Sequence, residues 1–168
     1  MRHTGGQPPG PPHDRQRLFR DSYRAPLNRA ELGIVEIYAA LFGHAPLYVK
    51  VLLVIRNWLA GLAGLDVPTI DDIMHVRIEG TYRAGDRIGP WPVYACTDHE
   101  IVAGRDNRHL DFRLSVLREA SPGPDRVTVS TICTVHNLAG KIYLFFVVPF
   151  HRFGVKRLIA NAVAAHRI

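Results

Sequence analysis

From residue 91 onward apolar residues recur at every second position, in runs that turn formers interrupt. The runs cover roughly 91–103, 108–119, 126–136 and 141–148, and GRDN, SPGPD and NLAG lie between them. A two-residue period marks strands with one buried face. Gly, Pro, Asn and Asp supply the backbone conformations that tight turns need. Connections this short join antiparallel neighbours, because a parallel crossover needs about a dozen residues or more. The pattern predicts an antiparallel meander. DIMHVRIEG, ending at Gly80, reads as one more strand or as a connection.

Ahead of the meander the period is helical. Asn28 and Glu31 fit a capping pair, and Ile34, Ile37, Tyr38, Leu41 and Phe42 then share one helical face up to Gly43. Pro46 suits the first turn of a second helix, PLYVKVLLVIRNWLAGLAG, which is apolar around most of its circumference. A membrane span needs about 20 mostly apolar residues. Lys50, Arg56 and Asn57 interrupt this stretch, so a core helix is favoured over a span or an interfacial helix. Behind the meander, PFHRFGVKRLIANAVAAH reads as a C-terminal helix. Phe150, Phe153, Leu158, Ile159, Ala162 and Val163 form its apolar face, and Arg152, Lys156 and Arg157 interrupt it.

Two helices, an antiparallel sheet and one long helix make an α+β fold, with the last helix covering one sheet face. A chain of 168 residues suffices for one core. Residues 1–22 are rich in Gly and Pro and have little to bury, so they read as a flexible arm before a single domain over 23–168. MRHTGGQPPGPPHDRQR has no apolar stretch behind its charges, unlike a secretory signal. Cys96 and Cys133 stand far apart in strand-like runs, as reduced core thiols of a cytoplasmic protein would. The net charge of +6 is mostly scattered arginine, and no recognition helix or RNP-like strand accompanies it, so no specific nucleic acid is expected.

The segment with most chemistry is GRDNRHLDFRLSV, residues 104–116. Alternation sends His109, Asp111, Arg113 and Ser115 to one face and Leu110, Phe112, Leu114 and Val116 to the other. If GRDN closes the hairpin, Glu100 lies opposite Asp111 and Asp98 opposite Arg113. Asp98, Glu100, His109, Asp111 and Arg113 would then share one patch. Neighbouring carboxylates beside a histidine can shift one another's pKa and move protons, which is lyase, cyclase or isomerase chemistry. The blander reading, a solvated ladder of ion pairs, is preferred, because charged strand faces usually meet water. Nine histidines lack any H-x-x-x-H, CxxC or facial-triad spacing, so no metal is expected. Neither G-x-S-x-G, G-x-G-x-x-G nor a P-loop is present, and no cofactor is expected.

GDRIGPWPVY, the G-x-D-x-R-H-L-D-F-R strand, LAGKIYL and PFHR occur in an order and spacing that resemble a bacterial family, domain of unknown function 2867. The resemblance runs over about residues 25–165. In some members the domain follows a nucleotide-binding domain that has no counterpart here, so no dehydrogenase activity is implied. The resemblance implies a helix-grip architecture of the START and Bet v 1-like type (SRPBCC), a curved sheet wrapped on a long C-terminal helix. It names no catalytic residues. Helix-grip proteins hold apolar ligands between sheet and helix, and by that analogy Phe112, Ile132, Tyr143, Phe145, Phe150 and Phe153 line a pocket, the preferred alternative being ordinary core packing.

The leading expectation is a non-catalytic domain that binds a small, partly apolar or amphipathic molecule. A proton-transfer enzyme using His109, Asp111 and Glu100 is the second. A peripheral membrane or protein-interaction module using the second helix and the basic arm is the third and is less favoured. Oligomeric state has no signature in the sequence.

Overall fold

A computed structural model describes residues 17–44, 46–62, 78 and 80–168. Six strands form one antiparallel, curved sheet: β1 (Arg17–Pro26), β2 (Arg87–Ile88), β3 (Trp91–Cys96), β4 (Glu100–Asp106), β5 (Leu110–Glu119) and β6 (Arg126–Val135). Their order across the sheet is β1-β6-β5-β4-β3-β2. Among the described residues the helices are α1 (Ile34–Phe42), α2 (Leu47–Leu62) and α3 (Leu138–Ala164). The α+β class and the sheet packed on a C-terminal helix agree with the sequence reading. The Gly/Pro-rich residues 1–16 and most of DIMHVRIEG lie outside the described residues.

The meander from β3 to β6 follows the two-residue period, with three corrections. The run 91–103 divides at a turn, where the Thr97 hydroxyl accepts from the Glu100 N–H at 3.0 Å. Residues 17–22, assigned above to the arm, belong to β1, which pairs along its length with β6. Phe19, Asp21, Tyr23 and Ala25 alternate inward there, but the partner strand lies more than a hundred residues away, and no local turn announces the pairing.

The run 141–148 is not a strand. It is the first part of the 27-residue α3. Asn137 caps that helix, its side-chain oxygen accepting from the Gly140 N–H at 3.1 Å. Inside the helix Tyr143 and Leu144 are buried, while Leu138, Ile142, Phe145 and Phe146 face outward. With apolar residues on both faces, the segment mimics a buried strand in sequence.

The start of α1 also differs. Its N-cap is Gly33, whose N–H donates to Glu36 Oε2 at 2.7 Å, while Glu31 pairs with Arg29 at 2.8 Å.

One face of the sheet carries two apolar clusters. The larger joins Ile37, Leu41, Ile101, Val116, Val129 and Ala162, and so binds α1 and the C-terminal half of α3 to the sheet. The smaller joins Phe19, Leu110, Cys133, Val135, Tyr143 and Leu144 beneath the start of α3. Phe112 packs against both.

Candidate ligand cavity

Where the two clusters meet, the packing leaves a cavity of about 230 Å³. Its floor is the inner sheet face, with Phe19, Leu110, Phe112, Leu114, Thr131 and Cys133. Strand pairing puts these side by side: Phe112 faces Cys133, Leu114 faces Thr131, and Phe19 faces Cys133 from the other side. Its roof is α3, through Tyr143, Leu144, Val147, His151 and Leu158. Tyr38 and Phe42 from α1 and Lys50, Leu53 and Asn57 from α2 close one side. Trp91 stands edge-on to Phe112, ring centroids 5.0 Å apart, and completes the wall near β3. Such an enclosure, mainly apolar with a few polar groups, is the usual form of a small-molecule site.

Besides Lys50 and Asn57 on the α2 side, polar groups meet at the β1–β6 wall. Thr131 is 2% exposed, and among the described residues its hydroxyl has no hydrogen-bond partner. Asp21 lies directly across the strand pair from Thr131, and its carboxylate accepts from the Tyr23 hydroxyl at 3.1 Å. His151 Nε2 reaches over from α3 to 3.5 Å from Asp21 Oδ2, within ion-pair range, without closing a hydrogen bond. The His151 ring is set edge-to-face against Phe19. Burial, reinforced by the Asp21 carboxylate, raises the pKa of Tyr23 and keeps its phenol protonated. Burial likewise holds the Tyr38 phenol far above its ordinary range. The cavity thus has polar groups at the Thr131–His151 corner and, through Lys50 and Asn57, on the α2 side, in a lining that is otherwise mainly apolar.

The six residues expected to line a pocket divide. Phe112, Tyr143 and Phe150 line the cavity. Ile132, Phe145 and Phe153 do not. Ile132 pairs with Arg113 and Arg20, on the sheet face opposite Phe112. Phe145 is 76% exposed because residues two positions apart, such as Tyr143 and Phe145, lie about 200° apart on a helix, whereas on a strand they would share a face. Phe153 is also exposed, on the outer side of α3.

The expected polar patch takes a different pairing. The hairpin turn is Asn107 to His109 rather than GRDN, so Glu100 lies opposite Leu117, and Asp106, not Glu100, faces Asp111. The offset is even, and Glu100, Asp111 and Arg113 therefore keep one face, the one turned away from the cavity. There they form separate pairs. Arg113 bonds Asp106 at 2.7 Å and stacks 3.6 Å over the Tyr94 ring. The Arg113 hydrogen bond holds the Asp106 pKa below its usual value. Asp111 meets His136 at 3.0 Å, and Glu100 accepts from the Ser115 hydroxyl. His109 lies between Arg108 and Asn137 in the turn. None of the four lines the cavity. Among the described residues no three of His, Cys, Asp and Glu gather as a metal site requires.

The sequence reading passed over Asp21 and Thr131, and met His151 only among the histidines set aside as metal ligands. The signal for the first was the alternation of Phe19, Tyr23 and Ala25 within RLFRDSYRAP. Thr131 and His151 had none, since each matters only through what the fold sets against it.

Over residues 15–158 the sequence matches the family described as Protein of unknown function (DUF2867). The chain belongs to this family. No curated protein matches it. The cavity-lining residues run from Phe19 to Leu158, so the whole chamber falls inside the DUF2867 match. The family description assigns no activity, and the function of this DUF2867 chain has to be argued from the chamber itself.

Proposed function

We propose that this protein binds a small, partly apolar molecule between the sheet and α3 and does not transform it. One observation carries the reading: a mainly apolar, partly open chamber with a buried, unpartnered Thr131 hydroxyl in its wall. A native core seldom leaves a buried hydroxyl unsatisfied, because desolvating it costs about 1–3 kcal/mol. A ligand hydroxyl or carbonyl beside Thr131 and His151 removes that cost. The size of the chamber bounds the ligand. An apolar cavity of roughly 150 Å³ holds a benzene ring, so this one suits two fused rings or a short branched chain. The arrangement reads as a helix-grip fold of the START and Bet v 1-like kind. A cytoplasmic place is supported by Cys96 and Cys133, which form no disulfide.

The test compares 2-naphthol with naphthalene by calorimetric or NMR titration. Saturable binding of both is expected, tighter for the alcohol. Leu114→Phe fills the chamber and abolishes both, while Thr131→Val removes only the preference for the alcohol. If neither compound binds saturably, and native mass spectrometry of freshly isolated protein finds no small molecule, the reading fails.

A further inference from the structure

The outer side of α3 is as apolar as its inner side. Leu138, Ile142, Phe145, Phe146, Phe150 and Phe153 recur at helical spacing on one face, and each is more than half exposed. On α2, Leu47, Val51, Ile55 and Trp58 repeat the pattern, with Trp58 at 65% exposure. Exposed apolar surface on this scale marks a surface that meets something.

Charge indicates what that is. Neither helix contains a single Asp or Glu, whereas α3 carries Lys141, Arg152, Lys156 and Arg157 and α2 carries Lys50 and Arg56. All four α3 cations are exposed. A second copy docking through the same face would set these cations against their own counterparts. An anionic lipid surface accepts both features at once, aromatic rings at the headgroup–acyl boundary and cations at the phosphates.

We propose that the outer face of α3, together with exposed apolar residues of α2, which packs against α3, docks the protein on an anionic lipid bilayer. α3 is long and apolar enough to cross a membrane. Its other face, however, buries Tyr143, Leu144, Val155, Leu158 and Ile159 against the sheet and α1, so the helix lies in the interface and does not span. Phe150 borders both the docking face and the cavity, but Lys141, Phe145, Phe146 and Arg157 do not line the cavity, so variants there test docking apart from ligand binding.

The experiment is flotation of the full chain with vesicles of phosphatidylcholine, alone or mixed with phosphatidylglycerol. Flotation is expected with the mixed vesicles and should weaken as salt is raised. Phe145→Ser with Phe146→Ser should reduce it roughly tenfold or more, by loss of buried apolar area. Lys141→Glu with Arg157→Glu should bring it down to the level seen with phosphatidylcholine alone. These side chains are exposed, so the variants should keep the parent circular dichroism and melting temperature, which is checked first. The proposal is overturned if the parent floats with neither vesicle, or if flotation ignores the Phe pair. It is also overturned if light scattering finds a dimer, or a complex with an acidic partner protein, that the Phe substitutions dissociate.

Discussion

Thr131 is the residue where packing and function diverge. It sits buried on the mainly apolar inner face of the sheet, across from Leu114 on one side and Asp21 on the other, and among the described residues its hydroxyl has no partner. Valine has nearly the same shape without the polar atom. Thr131→Val should therefore raise the unfolding free energy by up to about 1 kcal/mol. Chemical denaturation reads this directly, and a loss of stability would mean that the hydroxyl has a partner after all. Asp106 is a residue-scale case on the other face. Its folded pKa is depressed, chiefly by the Arg113 hydrogen bond and further by Tyr94, so its stabilising contribution is present at neutral pH. That contribution disappears as pH falls through the depressed folded value, below 3.8. The carboxylate is more than half exposed, so the effect on stability is small after solvent screening. An NMR titration should place the Asp106 midpoint below 3.8 in the parent and move it upward in Arg113→Ala.

The elements show where local sequence suffices. Strands β3 to β6 carry their own period and turns, and the sequence reading placed β5 and β6 within a few residues while running β3 and β4 together as one strand. α3 was legible only from Pro149 onward. KIYLFFVV satisfies strand preferences as well as a helix with two apolar faces does, and only the cap at Asn137 decides between them. The same junction is sterically exacting. A Cβ on Gly140 would fall 2.2 Å from the His109 carbonyl oxygen, where the first turn of α3 meets the β4–β5 turn. Gly140→Ala should shift the start of α3 or the β4–β5 turn, and destabilise the fold by roughly 1–3 kcal/mol. A melting temperature equal to the parent's would contradict this contact. A second junction is held by Arg118 on β5. It bonds Asp125 at 2.7 Å and the carbonyls of Leu32 and Ala30 at 3.0 and 2.9 Å, fastening the approach to α1 onto the sheet. Arg118→Ala removes charge-assisted bonds at three points and should cost about 2–3 kcal/mol. Faster hydrogen exchange in α1 should accompany the loss, and unchanged exchange there would assign the fastening elsewhere.

At the scale of the whole molecule, the cavity exists because two apolar clusters meet without merging. α1 and the end of α3 cover one part of the sheet, the beginning of α3 covers another, and the described residues leave a space between them. Occupancy should therefore stabilise the entire fold, because a ligand that binds only the native state shifts unfolding by mass action. At saturating 2-naphthol the melting temperature of the parent should rise, while that of Leu114→Phe should not. The sequence by itself determined the meander, the α+β class, the two faces of β5 and the family. Each of these rests on periodicity, turn chemistry or motif order over a few neighbouring residues. Only the tertiary structure decided that β1 closes the sheet and that Asp21, Thr131 and His151 meet. It alone set His109 and Asp111 outside the cavity and the phenylalanines of α3 on the surface. Those outcomes depend on which face of one element another element covers, and that is settled by burial between segments far apart in the chain.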